Sequence, residues 1–401
     1  MKVILLVISI LFLFFIDFYT LKAIRHIFSN PFLNTLVFNI IYWLSLTIIS
    51  IATIYGVYAL KEAPGTLYLS ILLTAIVLLY IPKLNIVSFY FIEYIISLFS
   101  NNYTVIIKIG IGLAVASFLF ILHGITINKD NFKVRTQEVY FDNLPDNFDG
   151  FKIVQVSDIH IGSYGKSTKS VDKAVKLINA ENPDLILFTG DLVNNIADEV
   201  NGFEKSFNKL NAKYGKYSIL GNHDYGDYYK FKNDEQKRQN LTDLIAKHYD
   251  IGFDILLNTN TKIGIENDSI IIAGVENWGE PPFPQHGDIK KALNEVSTDN
   301  FVILMSHDPS HWRAQIIDNT NVALTLSGHT HAMQAGIEIG NFQWSPVVFK
   351  YKEWGGLYSE GKQYLYVNRG LGYLGLLGRI GIRPEITVIV LHKKNATQIN
   401  E

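Results

Sequence analysis

The chain changes its hydrophobic pattern once. Residues 3–20, 33–60 and 104–125 are apolar runs near or above the roughly 18 residues that suggest a membrane span. The stretch 66–99 is apolar as well, about 51 Å long as a single helix at roughly 1.5 Å per residue. Pro82 and Lys83 divide it into two halves, so four or five spans are expected over residues 1–127. From residue 128 the pattern becomes one of short runs. "FKVRTQEVYF" alternates as a strand does and "NLPDNFDG" is rich in turn residues, so 128–150 reads as a linker carrying a first strand. Beyond it, over 151–401, apolar segments end in polar clusters: "FKIVQVSDIH", "PDLILFTGDLV", "KYSILGNHDYG", "NFVILMSHDPS" and "VALTLSGHTH". Amphipathic helical stretches such as "STKSVDKAVKLINAEN" and "DEQKRQNLTDLIAKHY" lie between several of them, which predicts an α/β layer structure.

Charge follows the same division. Residues 1–127 carry six Lys/Arg and three Asp/Glu, and the rest of the chain carries the other 29 and 34. A multi-pass membrane region followed by a domain of ordinary soluble composition is expected. Lys22 and Arg25 favour a cytoplasmic first loop, and Lys2 the opposite frame. Asp17, Glu93 and His123 interrupt the apolar runs singly, which suits interfacial or snorkelling positions. With no cysteine there is neither a disulfide nor a thiolate metal site. The net charge of −2 disfavours nucleic acid as a partner.

Sites in open α/β sheets gather at the carboxyl ends of strands. All five strand ends here carry Asp, Asn or His, and glycine, which permits a tight turn, precedes three of these residues. Asp158, His160, Asp191, Asn222, His307, His329 and His331 form a nitrogen and oxygen ligand set suited to Mn²⁺, Fe²⁺, Zn²⁺ or Mg²⁺. In extended backbone a His-x-His pair presents both rings on one face, several ångströms apart, so each can reach a different ion. Two ions about 3.5–4 Å apart can hold a bridging hydroxide and clamp a phosphoryl group for in-line attack. Each motif alone reads equally well as a turn or a helix cap. All five in order, each closing an apolar run, do not.

The pattern D-x-H, G-D, G-N-H-[D/E], a lone His and G-H-x-H resembles the calcineurin-like metallophosphoesterase superfamily. Here it stands as Asp158-Ile159-His160, Gly190-Asp191, Gly221-Asn222-His223-Asp224, His307 and Gly328-His329-Thr330-His331. The resemblance covers about residues 132–393 and is nearest the membrane-anchored bacterial branch, through "LPDNFDGFKIVQVSDIHIG" and "NRGLGYLGLLGRIGIRPEITVIVL". It implies a β-sandwich flanked by helices with a dimetal site at the strand ends. Asp158, His160, Asp191 and His331 would hold one ion, and Asp191, Asn222, His307 and His329 the other. His223 would serve the leaving-group oxygen as proton donor or cation, with Asp224 supporting it or shaping the loop. Many relatives have Asp three residues after the bridging Asp. Here Asn194 stands there, able to orient the ring at the substrate side but without the charge that favours an imidazolium.

Arg369, beside a Gly-rich turn, is a candidate for a phosphate oxygen. His311 reads as a neighbour of the ligands rather than one of them, and His248, His286 and His392 as surface imidazoles. The apolar segments 342–358 and 371–381, with Trp354 and Leu376, would pack on the sheet or form a rim touching the bilayer or a lipid tail. The expected function is a membrane-anchored phosphoesterase hydrolysing a phosphomonoester, phosphodiester or pyrophosphate by attack of a dimetal-bridged hydroxide. Its substrate would be a phosphorylated small molecule or a lipid-linked one. The alternative is a membrane sensor or transporter whose domain binds metal and ligand without turnover.

Overall fold

A computed structural model describes residues 2–58, 66–99, 104–281, 283–340 and 342–394. The expected apolar run 33–60 therefore ends, at 59–60, outside the described residues, as do the charges at 61 and 62. The chain forms two compact units: residues 1–127 with Gly375–Ile380, and residues 128–374 with 381–401.

Among the described residues the first unit has four helices long and apolar enough to cross a membrane. They are α1 (Lys2–Ile27), α2 (Leu36–Tyr58), α3 (Thr66–Ser97) and α4 (Thr104–Thr126). The two-helix alternative for 66–99 is thus corrected. Pro82 sits inside one 32-residue helix, since a proline removes a single backbone bond and apolar helices tolerate that. Lys83 does not end the helix because its charge is matched. Nζ lies 2.6 Å from Asp17 Oδ1, and Tyr80 donates to Oδ2 of the same carboxylate at 2.7 Å. Asp17 is fully buried. Glu93 is buried too, accepting from Ile107 N at 3.0 Å and meeting His26 Nε2 at 3.1 Å. Neither acid snorkels. His123 does lie exposed.

Removing one member of a buried ion pair strands the other. Lys83→Ala is therefore expected to destabilise the helical unit by about 3 kcal/mol. The double change Asp17→Leu with Lys83→Met should cost less than the single one, read by thermal unfolding of the full chain in nanodiscs. Equal losses would show that the pair contributes nothing.

Segment Gly375–Ile380 belongs to this unit and donates backbone N–H groups to it, from Leu377 N to the Thr74 hydroxyl Oγ1 (2.9 Å) and from Arg379 N to Gly124 O (3.1 Å).

The second unit is a sandwich of two six-stranded sheets. Its strands are β1 (Lys133–Phe141), β2 (Lys152–Val156), β3 (Leu185–Phe188), β4 (Lys216–Ser218), β5 (Asp254–Ile255), β6 (Thr259–Ile265), β7 (Asp268–Gly274), β8 (Phe301–Met305), β9 (Val322–Ser327), β10 (Ile337–Ile339), β11 (Phe342–Trp344), β12 (Gly356–Glu360), β13 (Gln363–Val367) and β14 (Glu385–Lys393). One sheet runs β1-β14-β2-β3-β4-β5, the other β12-β13-β9-β8-β7-β6, and β10-β11 is a separate hairpin. β1 is no free linker strand, because it pairs in parallel along its whole length with β14.

Strand alternation sets the layers. Ile153, Leu185, Leu187, Ile303 and Met305 point between the sheets and form one core. Val154, Val156, Ile186 and Phe188 point the other way, onto α5 (Lys169–Ala180). Its Val171, Ala174, Val175 and Ile178 recur at helical spacing on the buried face. Val302 and Leu304 face outward from the second sheet onto Trp312 and Ile316. Strands buried on both faces read as continuous apolar runs, which is how they stand in the sequence.

Candidate metal centre

β2, β3 and β4 are parallel neighbours in one sheet, and β8 and β9 in the other. The polar clusters that close these five strands meet at one end of the sandwich. Asp158, His160, Asp191 and His331 each offer a ligand atom, and these atoms lie within 4.8 Å of one another. Nε2 of His160 and Nε2 of His331 are 2.9 Å apart. Asp158 Oδ1 stands 3.2 Å from His331 Nε2, and Asp191 Oδ2 stands 3.5 Å from His160 Nε2. The same Asp191 Oδ2 is 3.2 Å from His307 Nε2. His329 Nδ1 lies 2.8 Å from Asn222 Oδ1, and the His307 and His329 ring centroids are 5.1 Å apart. Asp191 thus stands between His160 on one side and His307 on the other.

The donor set fits divalent cations. Burial pushes His160 down to about 3 and His329 down to about 4, so both rings are neutral at pH 7 and keep a lone pair. His307 differs: burial opposes its charge, but the adjoining Asp191 carboxylate outweighs that and holds the ring at about 10. Its Nε2 is buried without a hydrogen bond of good geometry, an orphan that a cation would satisfy. Burial opposes the charge of Asp191, but its imidazole neighbours, His307 foremost, outweigh that and hold the carboxyl well below the usual carboxylate range. His160, His329 and the Asp191 carboxylate are thus in the protonation states that divalent ions require, and His307 has to give up its proton when an ion binds.

The backbone at the site is strained. Asp158, His160, Asp191, His329 and His331 all have positive φ, from 45° to 69°. Non-glycine residues adopt this region at a cost, and such residues cluster at functional sites. This corrects the expectation for the His-x-His pair. Its backbone is not extended; left-handed turns at both histidines, with Thr330 helical between them, aim the rings. The role of the glycines is also sharper. Gly221 and Gly328 are needed for room, because a Cβ on Gly221 would lie 2.2 Å from Asp191 Oδ1, and one on Gly328 would lie 2.3 Å from Asp158 Oδ2.

His223 sits on the rim, its ring centroid 4.9 Å from that of His160. Nδ1 pairs with the backbone carbonyl of Asn194 at 2.9 Å. Position 194 therefore orients the ring through its main chain, while the Asn194 amide is turned to Ser163, 3.2 Å from Oγ. A carbonyl fixes the ring as well as a side chain would and leaves the side chain free to vary. Glu199, which the sequence reading did not single out, accepts from the backbone N–H groups of Asn194 (2.6 Å), Asn195 (3.1 Å) and Ile196 (3.3 Å) and so holds that carbonyl in place.

Asp224 shapes the loop. Its buried carboxylate accepts from the N–H groups of Gly221 (2.8 Å), Asp191 (2.9 Å), Leu192 (2.9 Å) and Val193 (3.3 Å). Burial, and then the Asp191 charge, push it up to about 7 despite those donors.

Arg369 is buried, with Glu385 at 2.5 Å and a bond to Gln343. Its charge is matched by a structural ion pair, where the sequence reading expected a phosphate contact. His311 neighbours the ligands, bonded to Ser306 Oγ (2.9 Å) and Gln315 (3.0 Å). His248 is not a surface group: it is buried on Ser218 Oγ at 2.8 Å. His286 is exposed and stacks on Tyr225. Trp354 is buried with Ala332, Val347 and Ile382, so it forms no exposed rim.

Two tyrosines at the rim were not legible in the sequence. Tyr351 Oη lies 2.7 Å from His329 Nε2, and Tyr228 accepts from Asn222 Nδ2 at 3.0 Å while its ring lies on His223. Tyr228 stands close to the G-N-H-D motif and could have been weighed on that ground. Tyr351 lies outside all five motifs and carried no signal.

Comparison with known proteins gives two family matches. Residues 151–333 match the family described as calcineurin-like phosphoesterase. Residues 1–129 match the transmembrane domain of the family described as probable calcineurin-like phosphoesterase. An uncharacterized metallophosphoesterase of Bacillus subtilis is 35% identical over 63% of this chain and 82% of its own length. A zebrafish (Danio rerio) transmembrane protein with metallophosphoesterase domain is 31% identical over 65% of this chain, which spans only 57% of that relative. An uncharacterized metallophosphoesterase of Campylobacter jejuni is 28% identical over 76% of each chain.

Proposed function

Because this chain belongs to the calcineurin-like metallophosphoesterase family, we propose that it is a membrane-embedded hydrolase of phosphoric esters or anhydrides working through two divalent ions. The observation that carries this reading is the convergence of Asp158, His160, Asp191 and His331 within 4.8 Å, with His307 on the far side of Asp191. Asp158, His160, Asp191 and His331 would hold one ion; Asp191, Asn222, His307 and His329 the other. Ions bound there supply Lewis-acid polarisation of the phosphoryl group and a water acidic enough to attack at neutral pH.

The protein's own residues do the rest. Asn194 O holds the Nδ1–H tautomer of His223 and turns Nε2 toward the phosphoryl group. Protonated there, Nε2 donates to the departing oxygen and stabilises its charge. Tyr228 lies against the same ring and limits its rotation. The four spans support a substrate presented at a membrane, since tethering raises the local concentration of lipid-linked phosphates.

The test uses full-length protein in nanodiscs with Mn²⁺, on p-nitrophenyl phosphate, bis-p-nitrophenyl phosphate and lipid phosphates. Metal-dependent release of phosphate or alcohol is expected, and His223→Ala should lower kcat by about 10²–10⁴-fold without loss of bound metal. Two bound ions with no turnover of any ester would reject hydrolysis in favour of a ligand-sensing role.

A further inference from the structure

We propose that the β10–β11 hairpin and the turn after it insert into the bilayer that this chain's own helices span. The pattern of the hairpin is inverted relative to a surface element. Ile337 pairs with Trp344 and Ile339 with Phe342, so these four share one face, and Glu338 pairs with Gln343 on the other. The polar face is bonded inward: Glu338 accepts from Arg135 at 2.6 and 2.7 Å and from Lys133, and Gln343 from Arg369. The apolar face is left outward. Ile339 is 72% exposed, Phe342 60% and, in the following turn, Phe349 85%. Ile337 and Trp344, on the same face, are exposed as well. A soluble face would carry the opposite alternation, and exposed apolar area of this extent marks a binding surface.

The occupant is argued from the chain itself. Lys133, bonded to the inner face of the hairpin, stands seven positions beyond Thr126, the end of α4. Seven residues span at most about 25 Å. Ile382, in the cluster beneath the hairpin with Ala332 and Val347, follows two positions after the segment Gly375–Ile380 of the helical unit. Along the chain, residues that hold this surface thus lie within a few positions of segments that belong to the helical unit. Lys350 and the exposed Lys352 follow the apolar stretch, as cations do at a headgroup boundary.

The hairpin is also the excursion between His331 and Tyr351, whose hydroxyl meets His329. Its seating in lipid would bring the mouth of the metal centre to the headgroup layer. The proposal rests on the membrane spans and not on the hydrolytic reading.

The chain has no cysteine, so a spin label can be placed at one position at a time. Labels at Ile339→Cys, Phe342→Cys and Phe349→Cys in full-length protein in nanodiscs are compared with one at Tyr249→Cys, exposed on the helix Asp234–Asp250. The hairpin labels should collide with oxygen and lose collisions with an aqueous nickel complex, and the Tyr249→Cys label should do the reverse. Hairpin labels as open to nickel as the control overturn the proposal. So do labels shielded from both reagents, which would mean that a second copy or another protein covers the face. Labels in lipid with no metal-dependent hydrolysis would overturn the hydrolytic reading and leave the insertion standing.

Discussion

Asp191→Asn is expected to lower kcat by about a thousandfold or more, equivalent to about 4 kcal/mol in the barrier. The carboxylate adjoins both His160 and His307, so its loss removes charge from both proposed ion positions at once. A second readout does not need turnover. Asp191 keeps His307 protonated, at about 10, in the metal-free protein. That proton must leave when a cation binds. The sign follows: near pH 8 the wild type should release protons on loading with Mn²⁺, and tighter binding should accompany rising pH. With the amide, the His307 pKa falls and fewer protons are released. Calorimetry in two buffers of different ionisation enthalpy measures the number. Equal proton release by the two proteins, together with unimpaired kcat, would remove Asp191 from the bridging position.

Asp224→Ala should be the most damaging change at a residue with no contact to the reacting groups. Four buried N–H donors from two loops, Gly221 in one and Asp191, Leu192 and Val193 in the other, lose their shared acceptor. Leaving such a network unsatisfied costs about 3–5 kcal/mol. That corresponds to a fall of about 10 °C in Tm for a domain of this size. Because the same loops carry Asp191 and Asn222, metal affinity should fall with stability, by about 10–100-fold. Asp224→Asn restores the shape but sets amide hydrogens against N–H groups, so it should rescue little. An Asp224→Ala protein with native Tm and metal affinity but reduced kcat would instead make Asp224 a participant in the chemistry.

The two residues of the G-N-H-D motif therefore act differently, although they are adjacent. His223 is turned to the rim by a carbonyl, and Asp224 is buried behind the bridging carboxylate. The 3₁₀ turn at Asn222–Tyr225 is the cause, because successive residues in it point to different sides.

While the sandwich arrangement came only with the family resemblance, the sequence by itself determined the membrane region, an α/β layering of buried strands and the seven side chains that meet at their ends. These follow from local features: unbroken apolar runs, and polar residues closing strands, where a parallel arrangement gathers them. Tertiary packing decided what depends on partners distant in the chain. Lys83 continues a helix because Asp17 lies across from it, and Arg369 is held by Glu385. Position 194 serves His223 through a main-chain carbonyl, which no side-chain pattern can reveal. The hairpin Ile337–Trp344 reads as ordinary alternation until its register shows the polar face bonded inward and the apolar one left outside. Periodicity states that a strand has two faces, and only the neighbours it packs against choose which of them is covered.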